Sequence, residues 1–125
     1  MESIPFDDRD GVIWFNGELI PWRDGKLHVL SHALHYASSV FEGERSYGGS
    51  IFKLTEHSER FAFSAQTLGF EIPYSVAEID AACIETCKAN DIIDGYVRPV
   101  AWRGSEMMGV SAQGTKINVA IAAWA

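Results

Sequence analysis

The sequence predicts an α+β domain, a mostly antiparallel sheet with two helices, and three observations carry that expectation. An Asn-Gly pair separates two short apolar runs near the start of the chain. Two stretches of helical length, with recognisable start and stop signals, occupy the middle. Two long runs of strand-forming residues close the sequence. Strands outnumber helices, and the helices interrupt a set of hairpins, which is the α+β pattern.

The elements follow in order. Val12-Ile-Trp-Phe15 and Glu18-Leu-Ile-Pro-Trp22 flank Asn16-Gly17, the strongest short-range signal for a two-residue hairpin turn. Pro21 assigns the second strand to a sheet edge, where a missing amide is tolerated. Val40 to Tyr47 reads as a strand, which Gly48-Gly49 turns into Ser50-Ile-Phe-Lys53. Thr55 is the expected N-cap of a helix that Gly69 ends. Ser75-Val-Ala-Glu78 has the capping-box pattern and opens a second helix, Val76 to Ala89. Gly95 to Trp102 and Lys116 to Trp124 read as two more strands, with Pro99 marking an edge or strand-end position. The run Ile117-Asn-Val-Ala-Ile-Ala-Ala-Trp-Ala125 is nearly all apolar, as in a strand covered on both faces. It stops without turn residues or a polar tail, so the chain is expected to be a piece of a longer protein. No repeat, linker or low-complexity run divides residues 1–125, which are therefore read as one domain.

Composition narrows the function classes. The chain has 125 residues, 47% of them hydrophobic and 22% charged, enough apolar side chain for a core and too much for a disordered segment. Ten Lys and Arg against seventeen Asp and Glu leave a net charge of −7, which argues against nucleic acid and anionic membrane as partners. Apolar stretches fall short of the roughly 20 residues that cross a bilayer. The first ten residues lack the basic and apolar regions of a signal peptide. Cys83 and Cys87, four apart in a helical stretch, read as small buried hydrophobes and not as a disulfide framework. A cytoplasmic, reduced chain is expected.

Four groups of residues invite a chemical reading. His28, His32 and His35 have the spacing of imidazoles on one helix face, but no Cys, Asp or Glu in the run completes a metal shell. In Phe41-Glu-Gly-Glu-Arg-Ser-Tyr47 the alternation puts Phe41, Gly43, Arg45 and Tyr47 on one face and Glu42, Glu44 and Ser46 on the other. Gly43 leaves a gap beside an aromatic wall, suited to a ligand or, equally, to a bulge or a close-packed neighbour. Tyr96, Arg98, Val100 and Trp102 share a face, setting a phenol beside a guanidinium; such a pair suits a carboxylate, as it suits a solvated edge strand. Arg60 stands four residues after Glu56, open to an i,i+4 ion pair or to a phosphate contact.

Together these segments resemble the class IV aminotransferases that use pyridoxal phosphate, most closely the branched-chain amino acid aminotransferases. The carriers are Trp14-Phe-Asn-Gly-Glu18, His32-Ala-Leu-His-Tyr36, Ser39-Val-Phe-Glu-Gly-Glu-Arg45, Glu56-His-Ser-Glu-Arg60, Tyr96-Val-Arg-Pro99 and Met108-Gly-Val110. Each is modest alone; six in order, over Ile13 to Ala125, are specific. The resemblance implies the small N-terminal domain of the D-amino acid/branched-chain aminotransferase-like fold, within a longer two-domain enzyme of amino-acid metabolism. It implies that Arg60 anchors the cofactor phosphate, that Phe41 and Gly43 line the substrate side-chain pocket, and that Tyr96 and Arg98 handle substrate carboxylates. Tyr36 and Val110 match positions that reach the partner subunit's pocket in a homodimer or higher homo-oligomer. His32 and His35 then belong to a structural signature, not to a metal site. The family's Schiff-base lysine lies beyond Ala125, so this chain alone is expected to be inactive. The implied reaction moves an amino group between leucine, isoleucine or valine and 2-oxoglutarate. A D-amino acid aminotransferase or aminodeoxychorismate lyase of the same fold is the alternative enzyme, and a non-catalytic, self-associating domain is the alternative of another class.

Overall fold

The computed structural model describes residues 3–125; Met1 and Glu2, the first two positions of the signal-peptide reading, lie outside the described residues. Seven strands form one antiparallel sheet: β1 (Val12–Phe15), β2 (Glu18–Pro21), β3 (Ser39–Phe41), β4 (Glu44–Tyr47), β5 (Ser50–Ile51), β6 (Gly95–Arg103) and β7 (Ile117–Trp124). Their order is β2-β1-β7-β6-β4-β5, with β3 also paired to β6. A single-turn helix α1 (His32–Tyr36) adds to the two expected helices, α2 (Leu54–Thr67) and α3 (Val76–Ala89).

The hairpin forms as the turn residues dictate. Asn16 and Gly17 both have positive φ, 49° and 97°, as a two-residue type I′ turn requires. The Asn16 side chain also ties the turn to β7, its Oδ1 accepting from the Val119 amide at 2.8 Å. Pro21 ends β2 at the sheet edge, as expected. Helix α3 opens on the capping box, Glu78 N–H donating to Ser75 Oγ at 3.1 Å and Ser75 N–H to Glu78 Oε1 at 2.9 Å. Helix α2 ends at Gly69, φ 86°, in a Schellman motif: Phe70 N–H bonds Ala65 O and Gly69 N–H bonds Gln66 O, both at 3.0 Å.

Three expectations need correction. Thr55 is not the N-cap of α2; that position is Lys53, and the Thr55 hydroxyl donates to Asp80 Oδ2 on α3 at 2.7 Å. A tertiary acceptor has taken the side chain that a local cap would use. Pro99 lies in the middle of β6, between β7 and the β3–β4 side, and not at an edge. The strand expected over 40–47 is interrupted opposite it. No residue is inserted, because Phe41 faces Val100 and Glu44 faces Val97 in one continuous register. Glu42 N–H donates to Pro99 O at 3.0 Å, and Pro99 has no N–H to return. The ladder breaks there without a bulge.

The sheet has one covered and one open face. Both long helices pack on the first, where Phe61 and Ala65 of α2 and Ile79, Ala82, Cys83 and Cys87 of α3 meet Val97, Ala101, Val119 and Ile121. The cysteines are buried hydrophobes, as their setting predicts; burial, then the nearby Glu44, pushes the Cys83 thiol above its usual range. The opposite face carries Ile13, Phe15, Val100, Trp102, Ala120 and Ala122, so β7 is apolar on both sides for a structural reason.

Candidate functional site

The 41–47 segment keeps the predicted alternation, with an inverted sense. Its polar side chains, Glu42, Glu44 and Ser46, are buried, while Phe41, Arg45 and Tyr47 are exposed. A strand that turns its aromatic residues outward and its carboxylates inward breaks the rule for a half-buried sheet, and such breaks concentrate at functional sites.

On the open face, β3, β4 and β6 bring four predicted residues together. The Arg98 guanidinium lies 4.1 Å from the centre of the Phe41 ring. Its Nε and Nη2 donate to the Tyr96 hydroxyl at 3.1 and 2.7 Å. Gly43 lies against the same hydroxyl, where a Cβ would collide with it. Of the readings open to Gly43, the close-packed neighbour is the one realised: Tyr96 fills the gap. Arg98 stands at the side of a cleft of ≈ 340 Å³ whose walls include Phe15, Leu34, Val100 and Ala122. A cation held by a π face and a phenol beside an apolar hollow can receive an apolar side chain or one that ends in a carboxylate.

Tyr36 and Val110 form a second group. Tyr36 Oη donates to Met108 O at 2.9 Å, and its ring lies 4.4 Å from the His32 ring. His32 binds Gly109 O through Nε2 at 3.0 Å and Ser38 Oγ through Nδ1 at 2.7 Å. The carbonyl can only accept, so Nε2 carries a proton, and in the neutral imidazole Nδ1 accepts from Ser38. His35 bonds Val29 O, and His28 accepts from the Leu30 amide, so the three imidazoles serve three separate backbone sites. Val110 is 78% exposed and Tyr36 43%, which leaves this ridge open to a neighbour.

Arg60 sits apart, on α2 at the covered face. The i,i+4 pair with Glu56 does not form; Glu56 meets Lys53 at 3.4 Å instead. Arg60 Nε and Nη2 donate to the two oxygens of Glu42 at 2.8 Å each, and His57 Nδ1 adds a third contact at 2.7 Å. Burial alone would raise the Glu42 pKa, but the hydrogen bonds from Arg60 and His57 outweigh it and hold the carboxyl below its usual value. Sequence reasoning missed Glu42 and His57. The signal was present, since Glu42 faces away from the aromatic row and His57 and Arg60 share a helix face at i,i+3. Glu44, two residues on, is buried too and has no hydrogen-bond partner among the described residues; burial, with Glu42 and Asp80 nearby, pushes it up to about 8.

Comparison with known proteins fits this geometry. The family model for amino-transferase class IV matches residues 39–125. A branched-chain-amino-acid aminotransferase of Pseudomonas aeruginosa is 48% identical over 121 residues, covering 94% of this chain and 39% of the relative. The crystal structure of the Escherichia coli branched-chain amino acid aminotransferase superposes with a TM-score of 0.88 at 40% identity, covering 93% of this chain and 40% of that one. The T.th. branched-chain amino acid aminotransferase complexed with N-(5'-phosphopyridoxyl)-L-glutamate does so with a TM-score of 0.88 at 42% identity, covering 93% and 41%. The chain thus spans about two fifths of the length of the relatives it matches. With the family model over most of the chain and this degree of identity along nearly all of it, the chain belongs to the class IV amino-transferases.

Proposed function

We propose that residues 1–125 form the N-terminal domain of a pyridoxal phosphate-dependent aminotransferase acting between branched-chain L-amino acids and 2-oxoglutarate. The observation that carries this reading is Arg98, held over Phe41 and by the Tyr96 hydroxyl at the side of an apolar cleft. One pocket must accept leucine and, in the other half-reaction, glutamate. A purely apolar wall would reject glutamate, because a buried unpaired charge costs several kcal/mol. Arg98 solves this by resting on a π face and a phenol, both neutral, until a carboxylate arrives. A relative complexed with a phosphopyridoxyl adduct of glutamate supports both the cofactor and the second substrate.

The residues present fit part of the cofactor. Arg60 is a guanidinium with an outward edge, suited to a phosphate. Lys26, Lys53, Lys88 and Lys116 are all exposed, and none has the desolvated setting that makes a lysine nucleophilic near neutral pH. When bound, pyridoxal phosphate supplies the electron sink for amino-group transfer. This chain contributes the phosphate contact (Arg60), the side-chain wall (Phe41, with Gly43 admitting Tyr96), carboxylate recognition (Tyr96, Arg98) and a ridge for a second copy (Tyr36, Val110).

The test is Arg98→Met in the full-length enzyme, which keeps bulk and removes charge. Single-turnover rates with glutamate are expected to lose about 2–4 kcal/mol of transition-state stabilisation, and those with leucine less than about 1. An equal fall in both would mean that Arg98 holds the α-carboxylate or the fold.

A further inference from the structure

We propose that Glu42 is a positioning residue for the phosphate contact, fixing the Arg60 guanidinium side-on so that its opposite edge faces outward as a phosphate fork. This inference rests on the reading of Arg60 as the phosphate anchor. A guanidinium carries five N–H donors in one plane. Glu42 engages one on Nε and one on Nη2, which leaves the Nη1–Nη2 edge free. The Arg60 side chain is 64% exposed and that of Glu42 only 3%, so the held edge is turned inward and the free edge is in solvent.

Glu42 is itself immobilised. Its backbone N–H is bound to Pro99 O at the break in the ladder, and its carboxylate takes a third contact from His57. The guanidinium therefore waits in one orientation, and the phosphate does not have to order a long, flexible side chain. The planar fork can bridge a carboxylate and a phosphate at once; an ammonium, a point charge on a flexible stem, cannot hold that geometry.

Removing Glu42 has two opposed effects, since its negative charge also repels phosphate. A double-mutant cycle separates them, because Glu42 repels the phosphate equally whether Arg or Lys, of the same charge, stands at position 60. Apoenzyme of the full-length protein is titrated with pyridoxal phosphate and with pyridoxal, which lacks the phosphate. The ratio of the two dissociation constants isolates the phosphate contact. Arg60→Lys is expected to reduce that preference about tenfold when Glu42 is present. In the Glu42→Gln background the same exchange is expected to cost about two- to tenfold less. Equal costs in the two backgrounds overturn the positioning role and leave the phosphate reading standing. Arg60→Ala with an unchanged ratio overturns the phosphate reading, and this inference falls with it. Should Glu42→Gln fail to fold, Glu42→Asp takes its place with the same expectation, its carboxylate one methylene short of holding both nitrogens.

Discussion

Glu42 and Glu44 stand two residues apart, point to the same face of the sheet and are 3% and 1% exposed, yet their carboxyls are driven in opposite directions. Glu42 lies at the ladder break, where Arg60 and His57 of α2 both reach it. Glu44 lies deeper, near the two thiols of α3 and the carboxylate of Asp80, and neither of its oxygens finds a donor among the described residues. Both are shut off from solvent, Glu44 the more deeply, and only Glu42 is supplied with donors. A buried carboxylate is a stabilising anion where a guanidinium and an imidazole converge on it, and a proton-hungry liability where they do not.

The largest effect is expected from Glu44→Leu. Because the folded pKa is raised to about 8, the native state binds more protons than the unfolded chain between about pH 4.3 and 8. The stability that Glu44 permits is therefore complete below that window and lost as pH rises through it. At pH 7 the loss is about 3–4 kcal/mol. Urea unfolding of the 125-residue chain should show wild-type stability falling from pH 5 to pH 8, and the leucine variant gaining at least that amount at pH 7 with a flattened profile. Equal slopes in the two proteins would mean that Glu44 finds a donor in solution.

Glu42→Gln should break the comparison from the other side. A depressed folded pKa contributes stability above the unfolded value, and that stability disappears as pH falls through the folded pKa. The amide loses about 1–3 kcal/mol at pH 7, the worth of charge-assisted hydrogen bonds to a buried acceptor. Arg60 is mostly exposed and is left in water, so the larger penalty of a stranded buried cation does not arise. The same unfolding curves, taken from pH 7 to pH 3, should show wild type losing its advantage over Glu42→Gln in acid. The two variants thus act in opposite pH windows.

What the sequence revealed and concealed divides along the same line. The Asn16-Gly17 turn, the Ser75/Glu78 capping box, the Gly69 stop and the alternation over 41–47 depend on neighbours in the chain, and all were legible. Thr55, read as a local cap, and Arg60, for which a local ion pair was one open reading, take distant partners, Asp80 and Glu42, because a tertiary carboxylate at 2.7–2.8 Å outcompetes a solvated local contact. Pro99 read as an edge residue since a proline removes a ladder bond; only the paired strand shows that the loss falls opposite Glu42. The residues on the open face, Phe41, Tyr96 and Arg98, were legible as sharing a surface by period two, but their mutual contacts depend on a register between strands about 55 residues apart, which periodicity does not encode. The direction of the carboxylates was the least legible, for alternation sorts side chains into two faces and says nothing of which face the helices cover.

The finest contrast, between Glu44→Gln and Glu44→Leu, sharpens the comparison by asking whether charge or mere polarity is the burden at position 44. Gln is close to a protonated Glu in shape and cannot ionise. If charge is the burden, Glu44→Gln should match wild type to within about 1 kcal/mol near pH 3, where the carboxyl is protonated in both states. It should then keep that stability as pH rises, so the two curves separate by about 1.4 kcal/mol per pH unit between about pH 5 and pH 8. The amide still leaves a polar group in a pocket where the carboxyl has no partner, so it should remain less stable than Glu44→Leu at every pH, by about 1–3 kcal/mol. A glutamine variant as stable as the leucine one would show that the site satisfies a neutral polar group; on α2 the Ser58 hydroxyl is also buried and without a partner among the described residues.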